Sequence, residues 1–229
     1  LEDAYIDYKK TYELIPDFPQ IKRDLWRLAW RLKRSEDLEV WDQSFQLSLQ
    51  DRAELRKKNS FAEVIVLYEN GISPVKRPHP SWSSIPEFSP RYNPVEKALV
   101  RLDDVDVGET FLLHQIEKTA IQNLREKWGG LLAKKVAGVV AKEVVGNEIE
   151  KISESPLVGA LAKIVMYASD QADLRSWHLL PRDLQVLRIQ VSPGLHRIRL
   201  QPMGASAEME KTLQVGEGQK VFVNFRYMP

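Results

Sequence analysis

One six-residue window, inside "ADLRSWHLLPRDLQV" (residues 172–186), carries an acid, a base, a hydroxyl, an indole and an imidazole: Asp173, Arg175, Ser176, Trp177 and His178. Convergence of Asp, Ser and His would make a nucleophilic hydrolase site, with the imidazole as base and the carboxylate orienting it. Side chains alternate along an extended chain, so Ser176 and His178 share a face with Trp177 opposite, while Asp173 and Arg175 stand two apart and can pair. The competing use is mechanical. Trp177 would fill the core, and the Asp173–Arg175 pair would pin a helix-to-strand junction, because a guanidinium satisfies carboxylates and carbonyls together. A third use is docking of a partner. The residue types fit fastening best, docking next and catalysis least, so Arg175→Ala or Trp177→Ala is expected to lower stability.

The other chemically capable residues offer less. His79, His114, His178 and His196 form no His-x-x-x-His or Glu-x-x-x-His pair, so helical metal-ligand spacing is missing. The serines lack a Gly-x-Ser-x-Gly setting, and no phosphate-binding glycine loop is present. "DDVDVGE" holds Asp103, Asp104, Asp106 and Glu109, but not at EF-hand spacing; it reads as a solvated β-turn. Lys76-Arg77, Arg56–Lys58, Lys134 and Lys135 are short basic runs, able to touch anionic lipid or peptidoglycan. No catalytic, cofactor-binding or metal-binding residue is assigned, and no cofactor is expected. The candidate structural or partner-binding residues are Asp173, Arg175, Trp177, Tyr8, Trp26 and Trp30.

These residues need elements to position them. The chain has 229 residues, 43% of them hydrophobic and 28% charged, which suffices for one large domain or two smaller ones. Its net charge of +1 argues against a general nucleic-acid binder. It has no cysteine, so disulfides and thiolate chemistry are absent, a composition that suits a periplasmic or a cytoplasmic protein. The chain begins at Leu1, and an export signal or lipidated cysteine would lie upstream.

Residues 1–51 read as short helices. Ala4, Tyr8, Thr11 or Tyr12, and Ile15 form one stripe; Leu25, Leu28, Ala29 and Leu32 a second; Leu38, Trp41, Phe45 and Leu49 a third, with Ser35 as N-cap. Beyond Asn59 the pattern changes to strands. "FAEVIVLYENGISPV" predicts a hairpin with a type I′ turn at Asn70-Gly71. "KRPHPSWSSIPEFSPRYNP" carries five prolines in 19 residues and predicts an extended loop or edge. "EKALVRLDDVDVGETFLLHQ" predicts two strands that turn near Asp106–Gly108. Ile116, Ala120, Leu124 and Trp128 begin a helical stretch with a break at Gly129-Gly130, and "SPLVGALAKIVMYASDQA" predicts a second, buried helix. Four strands then close the chain, paired across "SPG" and "GEG", with Val221, Val223, Phe225 and Tyr227 on one face. The resulting expectation is an α+β protein: N-terminal α-hairpin repeats over residues 1–58, then an antiparallel β-sandwich-like domain over 59–229 with a helical insertion at about 115–172.

Two resemblances extend this reading. "DAYIDYKKTYELIPD" resembles the second helix of a tetratricopeptide repeat, with Ala4, Tyr8, Thr11 and Pro16 near that repeat's offsets. The helical start, "LYENGISPVK" and "ADLRSWHLLPRDLQVLRIQVSPG", in that order, resemble an uncharacterised family of bacterial envelope proteins. Its members are typically predicted lipoproteins with tetratricopeptide-like helices before a β-rich domain. The resemblance implies no activity and no catalytic residues. It implies a non-enzymatic, protein-binding component of the envelope, periplasmic or outer-membrane associated. The alternatives are a hydrolase of unfamiliar type acting on peptide or glycan, and a peripheral membrane protein that binds through residues 128–145.

Overall fold

The computed structural model describes residues 1–18, 20–56, 61–153, 157 and 171–229. The α+β class is observed: helices lead, and strands dominate the C-terminal part. The chain divides into two compact units. The first comprises residues 1–68, 97–113 and 185–225, and the second comprises residues 69–96, 114–184 and 226–229. The N-terminal helices therefore belong to one unit with strands drawn from three stretches of the chain. The predicted buried helix of residues 155–172 lies almost wholly outside the described residues.

The first unit starts with α1 (Glu2–Leu14), α2 (Ile21–Arg31), α3 (Ser35–Phe45) and α4 (Leu49–Arg56). Ile21, Leu25 and Ala29 recur every four residues along α2 and are buried beside Trp26. On α1 the core stripe is Tyr5 with Tyr8 and Tyr12: Tyr8 and Tyr12 lie where predicted, and Tyr5 rather than Ala4 is the buried residue of the first turn. Large rings fill the space between helices better than a methyl group does, so they set the rotation of α1. Trp41 and Phe45 stack at 4.7 Å, Tyr12 meets both edge-on, and the Trp41 indole donates to the Tyr5 hydroxyl at 3.0 Å. Leu49, expected inside, opens α4 and is exposed. Ser35 lies within α3 rather than capping it; Arg34 precedes the helix without a side-chain cap.

Two four-stranded sheets complete this unit, apart from strand ends that the chain carries into the second. One has the order β10 (Lys220–Tyr227), β1 (Ala62–Asn70), β7 (Asp183–Val191), β6 (Phe111–His114). The other has the order β5 (Val105–Glu109), β4 (Ala98–Leu102), β8 (Gly194–Pro202), β9 (Met209–Val215). The "SPG" and "GEG" stretches do not close hairpins. They carry the chain from β7 to β8 and from β9 to β10, each time into the other sheet. Along β1 and β10 the flanking hydrogen bonds advance together, from Glu63 N to Gln219 O and from Gly71 N to Tyr227 O, which makes that pair parallel. Val223 and Phe225 are buried on one face of β10, with Val221 and Tyr227 half-buried beside them, in the predicted phase.

The turn chemistry also moved. Asn70 does not adopt positive φ, and β1 and the next strand belong to different sheets, so Asn70-Gly71 is no type I′ hairpin. The turn with two residues at positive φ is Asp103-Asp104, between β4 and β5. Acidic residues tolerate that strain here because groups on β8 satisfy them: the Arg197 guanidinium donates to Asp104 at 2.6 Å, the Arg197 amide donates to Asp103 at 2.8 Å, and His196 Nδ1 lies 2.6 Å from Asp103.

In the second unit, the proline-rich stretch forms a hairpin of β2 (Val75–His79) and β3 (Trp82–Ser89), with Pro78 opposite Pro86. Both strands of a two-stranded ribbon have an outer edge, where a missing N–H costs no ladder bond. α5 (Ile116–Glu126) and α6 (Trp128–Ser153) pack against β3. The break between them falls at Lys127, just before the glycine pair. No helix among the described residues is long and apolar enough to cross a membrane.

Candidate functional site

The segment 171–182 lies in the second unit as an irregular loop. Its backbone is held by hydrogen bonds from outside it. The Ser73 hydroxyl donates to the Trp177 carbonyl at 3.0 Å, and the Ser73 amide donates to the Leu180 carbonyl at 2.7 Å. The Arg226 guanidinium donates to the Leu179 carbonyl. At its C-terminal end Arg182 donates to the carbonyls of Asn93 and Val95, at 2.9 and 2.6 Å, and to Asp183 at 2.9 Å. Asn70 donates to the Val95 carbonyl and to Asp183 at 2.9 and 3.1 Å, and accepts from Asn93. Asn70 and Asp183 are buried, and these partners satisfy them. The asparagine read as a turn residue is thus the buried anchor of this loop.

Gly71 shows why that anchor sits where it does. Its φ is +70°, and a Cβ there would lie 2.5 Å from the Asn93 amide nitrogen and 3.1 Å from Arg182 Cβ. The backbone must pass close to the Asn93–Arg182 pair, and glycine alone leaves the room.

The predicted Asp173–Arg175 pair is present and bidentate, with both side-chain hydrogen bonds at 2.9 Å. Asp173 also accepts from the Arg175 amide at 3.1 Å, closing an Asx turn. These bonds hold the Asp173 carboxyl far below the usual carboxylate range. The pair is exposed, so it shapes the loop locally rather than pinning a buried junction. Ser176 and His178 do share a face, with Oγ 3.5 Å from Nδ1. The carboxylate that would orient this imidazole is already saturated by Arg175, which removes the third member of a triad.

Trp177 corrects the fastening expectation. It is 74% exposed, and Leu179 beside it is 69% exposed. Leu174 is exposed as well, so this loop presents three large apolar side chains to solvent while its carbonyls at 177, 179 and 180 are tied down. The core position predicted for this indole is not occupied by it. Alternation along a strand assigns opposite faces, but residues 171–182 are not a strand, and the tether through Ser73 turns the indole outward.

The remaining candidates lie in the first unit. Trp26 is fully buried, and its indole donates to Asp42 at 2.7 Å. Tyr8 is half-buried against the aromatic cluster, and desolvation raises its phenol pKa. Trp30 is 38% exposed.

The chain has no significant match among family models, curated proteins or solved structures.

Sequence reasoning missed two buried ionic groups. Arg188 on β7 bonds Asp24 of α2 and, at 2.7 Å, Glu63 of β1. Arg27 adds a second cation to Asp24, and Lys220 adds one to Glu63. This cluster fixes α2 onto the sheet. The second group is the Asn70–Asn93–Arg182–Asp183 set above. A faint signal existed for the first: Arg188 is in phase with buried Val186, on the face of β7 opposite Ile189. Among the described residues no group of three or more His, Asp or Glu is placed to hold a metal ion.

Proposed function

We propose that this protein is a non-enzymatic interaction component of the bacterial cell envelope, and that it engages a protein partner through the Trp177 loop. One observation carries the proposal: a tryptophan and a leucine stand exposed on a loop whose backbone is bound at three points, the carbonyls of Trp177, Leu179 and Leu180. Exposed indoles on preorganised supports are the residues that dominate protein interfaces, because they bury large area at little entropic cost. The saturated Asp173 supports a binding role over a hydrolytic one. The envelope setting rests on the sequence resemblance, and the helices of residues 1–56 would add a second contact surface through Trp30. In this reading the partner presents an apolar pocket that accepts the indole.

Photocrosslinking in the cells that express the protein tests this. A photoreactive side chain at position 179 should yield one discrete protein adduct. That adduct should fall at least tenfold in a Trp177→Ala background with unchanged thermal stability. The same adduct from position 92, where Tyr92 is also exposed, or indifference to Trp177→Ala, would refute the loop as the docking site.

A further inference from the structure

The second unit also holds a cleft of about 660 Å³, formed by α5, α6 and the β2–β3 ribbon. Its apolar lining comes from Ile85 and Phe88 of β3, Leu124 of α5 and Leu131 of α6. Among the described residues five cations also line it, Lys76, Lys127, Lys134, Lys135 and Lys142, with a single acid, Asp173, whose charge is met by Arg175.

This pattern is written into α6 itself. Leu131, Lys134, Lys135, Gly138 and Lys142 are spaced three, four and seven apart, so they fall on a single face of α6, and Lys127 stands at the junction just before it. That face alternates charge with small or apolar residues. At its centre is Gly138, where an added Cβ would meet no heavy atom within 4 Å. Lys76 lies over the Phe88 ring with its ammonium 5.7 Å from the centroid, which places a cation directly above the apolar lining.

We infer that this cleft binds a single-chain amphiphile with an anionic head, an acyl chain with a carboxylate or phosphate, taken up one molecule at a time. Charge complementarity selects the head group: among the described lining residues lysines outnumber acids five to one, and a rim of that composition favours anions over cations. The aliphatic lining selects the tail, since burial of methylenes supplies the affinity. The volume selects the size. It falls within the range of about 300–1,000 Å³ for small-molecule sites. A nucleotide would want an open aromatic face, and here Lys76 covers the Phe88 ring.

The test uses the whole chain and laurate below its micellar concentration, followed by isothermal titration calorimetry. Saturable one-to-one binding is expected, with affinity falling as salt rises. The equal-length cation dodecyltrimethylammonium should bind at least tenfold more weakly, and inorganic phosphate should not saturate the site. Gly138→Leu fills the cleft without straining the helix and should abolish binding. Lys127→Glu/Lys134→Glu, on exposed positions that leave the core untouched, should weaken it at least tenfold. Binding that survives Gly138→Leu in a folded protein, or that ignores head-group charge, overturns the inference. So does binding confined to anionic vesicles, which would make α6 a surface-adsorbing helix. Tighter binding of an acidic amphipathic peptide would overturn it too. None of these outcomes depends on the Trp177 crosslink.

Discussion

Removal of Arg188 offers the sharpest test of how the first unit holds together. The guanidinium is 12% exposed and sits between the Asp24 and Glu63 carboxylates, each 6% exposed. Burial opposes its charge, but the two acids more than compensate and hold the guanidinium pKa above its ordinary value. Arg188→Ala leaves two buried carboxylates with a weaker cation each: Arg27 at 2.8 Å from Asp24, and the half-exposed Lys220 at 3.1 Å from Glu63. Breaking a buried pair costs about 3–5 kcal/mol, and the remaining cations place this case near about 3 kcal/mol. For a chain of this length that is a fall in Tm of about 6–12 °C by scanning calorimetry at pH 7. The loss is expected to depend on pH with a definite sign. Glu63 is held below its ordinary pKa by hydrogen bonds from Arg188 and Lys220, which outweigh the desolvation that raises it. Its contribution to stability is therefore present above the unfolded carboxylate pKa and is lost as pH falls through the folded one. The deficit of Arg188→Ala should shrink below about pH 4, where the unfolded carboxylate gains its proton. Replacing the three central charges, as Asp24→Leu/Glu63→Met/Arg188→Met, should recover at least half of the loss, because the two buried carboxylates are removed together with their shared cation. A deficit under about 1 kcal/mol, or one that is equal at pH 7 and pH 3.5, would refute the buried-network account.

Three further outcomes are expected. Gly71→Ala should destabilise by about 2 kcal/mol or more in urea unfolding, since alanine meets both a positive φ and the Asn93 amide. Trp177→Ala should change stability by less than about 0.5 kcal/mol in the same assay, in contrast to the loss expected of a core indole. His196 is held above its ordinary pKa by the Asp103 carboxylate and the Ser192 carbonyl, so NMR titration should find its midpoint above 6.5. The stability difference between the native chain and His196→Gln should be greatest below that unfolded value and vanish as pH rises through the folded one.

Much of the local structure was legible without the fold. The four-residue recurrence of Ile21, Leu25 and Ala29 specifies α2, and the two-residue alternation ending in Phe225 specifies β10, because period is a property of neighbouring residues. The Asp173–Arg175 pair was legible for the same reason: its partners are two residues apart. What failed was each inference that needed a distant partner. Asn70-Gly71 has the composition of a hairpin turn, yet Val95 and Asp183, 25 and 113 residues away, claim the Asn70 side chain. The hairpin turn with positive φ fell to Asp103-Asp104, whose charge is met from β8, 93 residues on. Trp177 carries the signature of a core residue, but Ser73, 104 residues away, holds its backbone so that the indole faces solvent.

The sequence by itself determined the strongly periodic elements, such as α2 and β10, and the spacing that puts Lys134, Lys135, Gly138 and Lys142 on one face of α6. Both follow from the geometry of a regular backbone. Only the tertiary structure decided which strands pair, which charges are buried and which aromatics stay outside. Arg188 and Asp24 are 164 residues apart, and nothing local to either marks the other as its partner. A buried charge is tolerated only where the fold brings its counterion, so its place is settled by the assembled chain.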